Sequence, residues 1–183
     1  MRRIFPWVLI ILLAGASLFL FGRFFFAGSS PSPGDLREAL LDFRCKAAIT
    51  YNGLEAEADL VRSADGSAQV TLTSPETLRG LQFDFAEDGV SLNFKGLRLE
   101  VDPSSFLASS MASALTDAVE TVLRGEIESA STHDGRQLLT ARGETGSFTL
   151  TLDADTGAPV SLEIPALELD CTFSDYAKVG TAE

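Results

Sequence analysis

Hydrophobic and polar residues alternate along most of the chain, which is the pattern of β-strands that bury one face. The first alternating run is Phe43 to Tyr51, and the dipeptide Asn52-Gly53 that follows it is a strong hairpin signal. Similar runs follow, separated by further turn dipeptides such as Asp-Gly and Lys-Gly. The pattern predicts about six strands before residue 102 and about five after residue 125.

One segment between these two groups of strands has the spacing of a helix instead. Its apolar residues recur three or four positions apart: Phe106, Leu107, Met111, Ala114, Leu115, Ala118, Val122 and Leu123. Asp102-Pro103 predicts its start and Gly125 its end. Many of its other residues are serine or alanine, so this helix can approach neighbouring backbone closely.

About eleven strands with a single apolar face are too many for a flat sheet, because strand twist accumulates. Only one substantial helix is predicted to cover that face. The expected fold class is therefore mainly β with one long helix. We predict a curled antiparallel sheet, a half-open barrel of about 11 strands, with the helix packed across its concave face.

An apolar run of 19 residues, Ile4 to Gly22, precedes the strands and is long enough to cross a bilayer as a helix. Arg2 and Arg3 stand before it, so the N-terminus should stay cytoplasmic and the remainder should be extracytoplasmic. The small residues at 27–29 are suited to a signal peptidase, so cleavage of this segment and secretion of the remaining chain are the alternative. The sequence thus predicts a single-pass protein of the cell membrane or, alternatively, a secreted one.

Four segments follow from these patterns. Residues 1–26 are a membrane anchor or signal segment, and 27–34 form a Ser/Pro/Gly linker. Residues 35–176 form the β domain, which opens with a short helix capped by Asp35, and 177–183 are a tail.

The charge distribution limits the kinds of molecule that the β domain can bind. The chain has a net charge of -12, and its first 23 residues contain three arginines and no acidic residue. Residues 24–183 therefore carry 11 basic and 26 acidic side chains. A domain with this excess repels nucleic acid and anionic lipid headgroups at long range, so we expect no nucleic-acid partner.

Residues suited to catalysis or metal binding are few. His133 is the single histidine and lies in a predicted turn with Asp134-Gly135. We expect its side chain to be solvated, as polar residues in turns commonly are. The alternative is that His133 acts as a general base. No nucleophile motif accompanies it. We therefore predict no enzyme activity, no cofactor and no metal site.

Cys45 and Cys171 lie on the apolar faces of the first and last predicted strands. In an oxidising exterior they are a candidate disulfide that would join the two ends of the sheet, provided that these strands meet. The alternative is a pair of buried free thiols that act as small hydrophobic groups.

The stretch from Thr73 to Phe85 (TSPETLRGLQFDF), together with the element order, resembles the LolA/LolB-like fold over roughly residues 36–176. The likeness is to its branch of extracytoplasmic lipoproteins in spore-forming Gram-positive bacteria. The resemblance implies a concave apolar surface that binds acyl chains or, in other members, a protein partner. Ala16 stands where the lipid-modified cysteine of that pattern would be, so a lipid anchor is not expected.

Two functions remain open at this point. The first is a non-catalytic cell-envelope protein that binds a lipid or lipoprotein acyl chain, or an envelope protein partner, through the curled sheet. The second is a structural or regulatory interaction module of the spore or cell envelope, with a closed core and no lipid ligand. The residues predicted to line a groove in the first case, and to fill the core in the second, are Phe83, Phe85, Phe94, Met111, Leu115 and Phe148.

Overall fold

The computed structural model describes residues 37–102 and 107–180. The predicted membrane anchor (1–26), the linker (27–34), the predicted cap Asp35 and the predicted first residue of the long helix, Pro103, lie outside the described residues. Within the described ranges, no helix combines the length and the apolar character needed to cross a membrane.

The described residues contain a helical turn at 37–39, eleven strands and one long helix. The first six strands are β1 (Phe43–Tyr51), β2 (Leu54–Arg62), β3 (Ala68–Ser74), β4 (Gln82–Ala86), β5 (Gly89–Phe94) and β6 (Leu97–Val101). Helix α1 (Leu107–Arg124) follows. The last five strands are β7 (Ile127–His133), β8 (Arg136–Gly143), β9 (Gly146–Asp153), β10 (Pro159–Ile164) and β11 (Leu169–Lys178).

All of these strands belong to one antiparallel sheet with the order β6-β5-β4-β3-β2-β1-β11-β10-β9-β8-β7. The first and last strands pair at the centre of the sheet, with Ile49 opposite Cys171. Strands β6 and β7, which flank α1 in sequence, form the two edges. The helix therefore carries the chain from one edge of the curled sheet to the other, and the predicted fold class of a curled sheet with one long helix is confirmed for the described residues.

Local sequence explains why the strands fold back on one another in this order. The β1–β2 and β5–β6 connections have two residues, Asn52-Gly53 and Lys95-Gly96, and all four residues have positive φ angles between 49° and 86°. Such turns match the right-handed twist of the strands that they join, and glycine and asparagine adopt them at low cost.

The alternation predicted from the sequence produces one buried face. Along β1, buried and exposed residues alternate without exception from Phe43 to Tyr51. The buried residues of α1 belong to the same core: Met111, Ala112, Ala114, Leu115, Ala118, Val119 and Val122. Because the three alanines are at most 1% exposed, the helix lies close against the sheet.

The last strand differs from the prediction at both ends. Pro165 begins a 3₁₀ turn (Pro165–Leu167), so β11 starts at Leu169 and not at Leu167 as predicted. At its other end β11 reaches Lys178, past the predicted domain end at Tyr176, because Lys178 pairs with Phe43 of β1.

Candidate ligand-binding cleft

A cleft of about 910 Å³ lies between one face of α1 and several strand ends and turns of the sheet. The helix contributes residues spaced three or four apart, which places them on one face: Ser110, Ser113, Asp117, Glu120 and Arg124. The apolar part of the wall consists of Tyr51, Ala68, Phe85, Ala86, Val90 and Leu167. The cleft thus has an apolar wall from the sheet and a polar wall from the helix.

Two acidic residues of α1, one turn apart, fix the helix wall to the sheet. The Glu144 backbone N–H donates to Asp117 Oδ2 at 2.9 Å, which ties the helix to the β8–β9 turn. On the other side, Arg62 Nε donates to Glu120 Oε1 at 2.8 Å, which ties it to β2. The Arg62 side chain is buried and also donates to the Leu41 carbonyl. Its buried charge therefore has a second hydrogen-bond acceptor besides Glu120.

Gly143 allows the close approach of the Asp117 carboxylate. A Cβ at position 143 would lie well inside van der Waals contact of Asp117 Oδ2. The glycine is favoured here by the neighbouring carboxylate, since its own φ angle is not in the left-handed region.

Two hydroxyl groups in the cleft wall have unused hydrogen-bonding capacity. Ser113 Oγ and Thr145 Oγ1 are buried, and neither has a hydrogen-bond partner among the described residues. Burying a hydroxyl without a partner costs free energy, so these two groups make the cleft wall less stable than a fully hydrogen-bonded one.

The exposed charged residues at the rim of the cleft are mainly acidic. Asp65, Glu87 and Glu144 are all exposed members of the lining. The Ser67 hydroxyl and backbone N–H donate to Asp65 Oδ1 at 2.7 and 2.9 Å and lower the pKa of Asp65, which keeps it charged. The basic lining residue Arg124 pairs with Glu126 at 3.1 Å. The rim therefore disfavours anionic groups.

The predicted groove residues separate into three environments. Phe85 lines the cleft and is half-buried. Four others are closed into the core, where Phe83 and Leu115 are 0% exposed, Phe148 is 2% and Met111 is 4%. Phe94 is half-buried against that core, outside the cleft, with Lys95 Nζ 4.9 Å from the centre of its ring.

The alternating pattern did not identify most of the cleft residues. Asp117, Glu120, Ser113 and Thr145 are polar residues of a helix and a turn, where sequence alone suggests solvent exposure. The helical spacing of 110, 113, 117, 120 and 124 is the one signal that could have indicated a shared polar face.

Cys45 and Cys171, the candidate disulfide pair, are both buried free thiols in the structure, which is the alternative that the sequence left open. Strands β1 and β11 do pair, but Cys171 lies opposite Ile49, four residues from Cys45. Four residues correspond to about 13 Å along a strand, beyond the roughly 7 Å that a disulfide allows between Cα atoms. Burial raises the pKa of Cys45 to about 12 and also raises the pKa of Cys171, so both thiols stay protonated.

His133 lies at the β7–β8 turn, outside the cleft, with a side chain that is 81% exposed and Nδ1 2.9 Å from Asp134 Oδ2. Among the residues with described structure, no three or more His, Cys, Asp or Glu side chains converge in a way that could hold a metal ion.

No protein-family model matches the sequence, and a search of curated proteins gives no match. Several solved structures are similar in architecture. An uncharacterized conserved protein from Thermus thermophilus is 11% identical over 82% of this chain and 87% of its own, with a TM-score of 0.49. A LolA superfamily protein from Nitrosomonas europaea is 10% identical over 83% of this chain and 96% of its own, with a TM-score of 0.42.

A third similar structure is that of the CwlD amidase from Clostridioides difficile in complex with the GerS lipoprotein. The matched chain is 15% identical over 78% of this chain and 86% of its own, with a TM-score of 0.45. At these scores the likenesses transfer no function to this chain. The described residues form the curled antiparallel sheet with one long helix that the sequence pattern predicted.

Proposed function

We propose that this protein is a non-catalytic cell-envelope protein that binds the acyl part of a lipid or lipoprotein in the cleft beside α1. The observation that supports this most is the cleft itself, whose volume of about 910 Å³ lies within the range of small-molecule pockets, about 300–1,000 Å³. Its wall from the sheet contains the apolar residues Phe85, Val90 and Leu167, which suit an acyl chain. The apolar run Ile4 to Gly22 supports an extracytoplasmic position at the membrane.

The charge of the rim restricts the class of lipid. Three exposed carboxylates surround the opening, those of Asp65, Glu87 and Glu144. An anionic headgroup would be repelled there, whereas a neutral or cationic one would not. The proposed ligand is therefore an acyl chain attached to a neutral or cationic group.

Photolabelling tests this proposal on the full chain in membranes. Two acyl probes with the same photoreactive chain are compared, one a neutral monoacylglycerol and the other an anionic phosphatidylglycerol. We expect the neutral probe to label peptides that contain Phe85, Val90 and residues 110–117, and the anionic probe to label them several-fold less. Labelling confined to residues 4–22 with both probes would contradict the proposal.

A matched pair of variants separates cleft binding from general contact with the membrane. Ser113→Phe places a large ring in the cleft and should abolish labelling of its wall. Ser131→Phe introduces the same ring on β7, where Ser131 is exposed and outside the cleft, and should leave labelling unchanged. Thermal unfolding of both variants checks that each is folded.

The interaction module without a lipid ligand remains the second candidate, and the closed core favours it. Phe83, Leu115 and Phe148 fill the space where a deep acyl groove would lie. If the cleft takes up no acyl probe while the protein still retains envelope partners, this second function is the better account.

A further inference from the structure

Strand β6 forms one edge of the sheet and exposes two large apolar side chains. Leu97 is 67% exposed and Leu99 is 56% exposed, and within the described residues β6 pairs only with β5. Its sequence alternates, so Leu97, Leu99 and Val101 share one face and Arg98 and Glu100 share the other. An exposed apolar edge strand is a template for pairing with another strand.

The β5–β6 hairpin determines which backbone groups this edge offers. Its turn has two residues, so the flanking pair Phe94 and Leu97 exchanges both of its N–H···O=C bonds. The backbone groups of Leu97, Leu99 and Val101 then point toward β5. Those of Arg98 and Glu100 point to the open side of the edge, where a further strand would bind.

The charges of β6 select one register for pairing with a second copy in antiparallel orientation. A two-fold axis at Arg98 would place two arginines opposite each other, and an axis at Glu100 would oppose two glutamates. An axis at Leu99 instead places each Arg98 opposite a Glu100 of the other copy. This register uses the outward-facing backbone groups, places Leu99 against Leu99, and places Leu97 against Val101.

We propose that β6 is a homodimerisation edge, where two copies of this chain pair antiparallel about a two-fold axis at Leu99. The contact is isologous, so it closes after two copies and does not extend into a filament. A five-residue strand buries little surface, and we therefore expect a weak dimer. The five residues of β6 do not line the cleft, so this proposal does not depend on the proposed function.

Charge reversal tests the register. Sedimentation of the full chain in detergent, over a range of concentrations, should show a reversible monomer–dimer equilibrium. Arg98→Glu and Glu100→Arg each place like charges opposite one another, and each should weaken the dimer by about tenfold or more. An equimolar mixture of the two variants should dimerise again, because every introduced charge then faces its opposite.

A second measurement reports on the axis itself. Residues opposite each other in a non-hydrogen-bonded antiparallel pair have Cα atoms about 4.5 Å apart, which a disulfide can join. Leu99→Cys should therefore form a disulfide-linked dimer on mild oxidation. Leu54→Cys is the matched control, because Leu54 is 57% exposed but lies on β2, and it should remain monomeric. Cys45 and Cys171 are buried and should not contribute.

Two results would overturn the proposal. One is a wild-type chain that stays monomeric throughout, with Leu99→Cys crosslinking no faster than Leu54→Cys. The other is a dimer whose dissociation constant is unchanged in Arg98→Glu and Glu100→Arg, because the copies would then meet at another surface.

Discussion

The Asp117 carboxylate lies close to residue 143, which has no side chain. A Cβ there would lie well inside van der Waals contact of Asp117 Oδ2. We expect Gly143→Ala to displace the carboxylate and break its hydrogen bond with the Glu144 N–H, lowering the free energy of unfolding by about 1–2 kcal/mol. Denaturant unfolding monitored by far-UV circular dichroism measures this change.

Two comparisons make that prediction specific. Gly180→Ala adds a methyl group where no atom lies within 4 Å and should change stability by less than about 0.5 kcal/mol. In an Asp117→Ala background, Gly143→Ala should cost clearly less than in the wild type, because the clashing carboxylate is gone. An equal cost in both backgrounds would show that the glycine acts on something else.

The two cysteines should give the protein a stability loss at alkaline pH. Burial raises the pKa of Cys45 from 9.0 to about 12 and raises the pKa of Cys171 as well. The unfolded chain releases these protons above about pH 9, whereas the folded chain retains them. The unfolded state then binds fewer protons than the folded state, so the free energy of unfolding falls as pH rises from about 9 to about 12.

Unfolding measured across that interval checks the effect, and Cys45→Ala/Cys171→Ala should fall less steeply than the wild type. Iodoacetamide provides an independent readout at pH 8, where we expect alkylation of both thiols only after denaturation. Rapid alkylation of the native protein would contradict the buried, protonated thiols.

At the scale of elements, the small residues of α1 allow the helix to lie close to the strands. Ala114 is 0% exposed and belongs to the core. Ala114→Leu should overpack this contact and lower the free energy of unfolding by about 2 kcal/mol. Thr116→Leu, on a half-buried position that faces the cleft, should cost less. Equal losses in thermal unfolding would mean that the helix is not closely packed at Ala114.

The strands and the helix were predictable from the sequence because two signals indicated the same elements along most of the chain. These signals are the spacing of the apolar residues and the residue types at the turns. Asn52-Gly53 and Lys95-Gly96 adopt the positive φ angles that their hairpins require. The start of β11 was not predictable to the residue, because Pro165 begins a 3₁₀ turn that is followed by Glu168 with a φ of 47°. A non-glycine residue in that conformation leaves no clear sequence signal.

The site was less predictable than the fold, for a reason that the phenylalanines illustrate. Alternation places Phe83 and Phe85 on the same face, but only the packing of α1 decides that Phe83 is enclosed and Phe85 borders the cleft. The candidate disulfide illustrates the same limit. The sequence indicated the inward face for Cys45 and Cys171, whereas the register that separates them arises from the pairing of β1 with β11.

At the scale of the whole described domain, one sheet serves two surfaces that do not overlap. The ends of β4 and β5 and the β2–β3 turn border the cleft, and the outer edge of β6 presents Leu97 and Leu99 to a second copy. Because β6 itself does not line the cleft, dimer formation leaves those lining residues in place. We therefore expect ligand binding and dimerisation to be separable by mutation.

Native mass spectrometry of the full chain, gently purified from its own membrane, tests the central claim most directly. We predict a lipid-sized mass increment on the wild type and on Ser131→Phe, and its loss in Ser113→Phe. The co-purified lipid should carry a neutral or cationic headgroup. A wild-type protein without any such increment, or an increment that Ser113→Phe retains in full, would contradict acyl binding in the cleft.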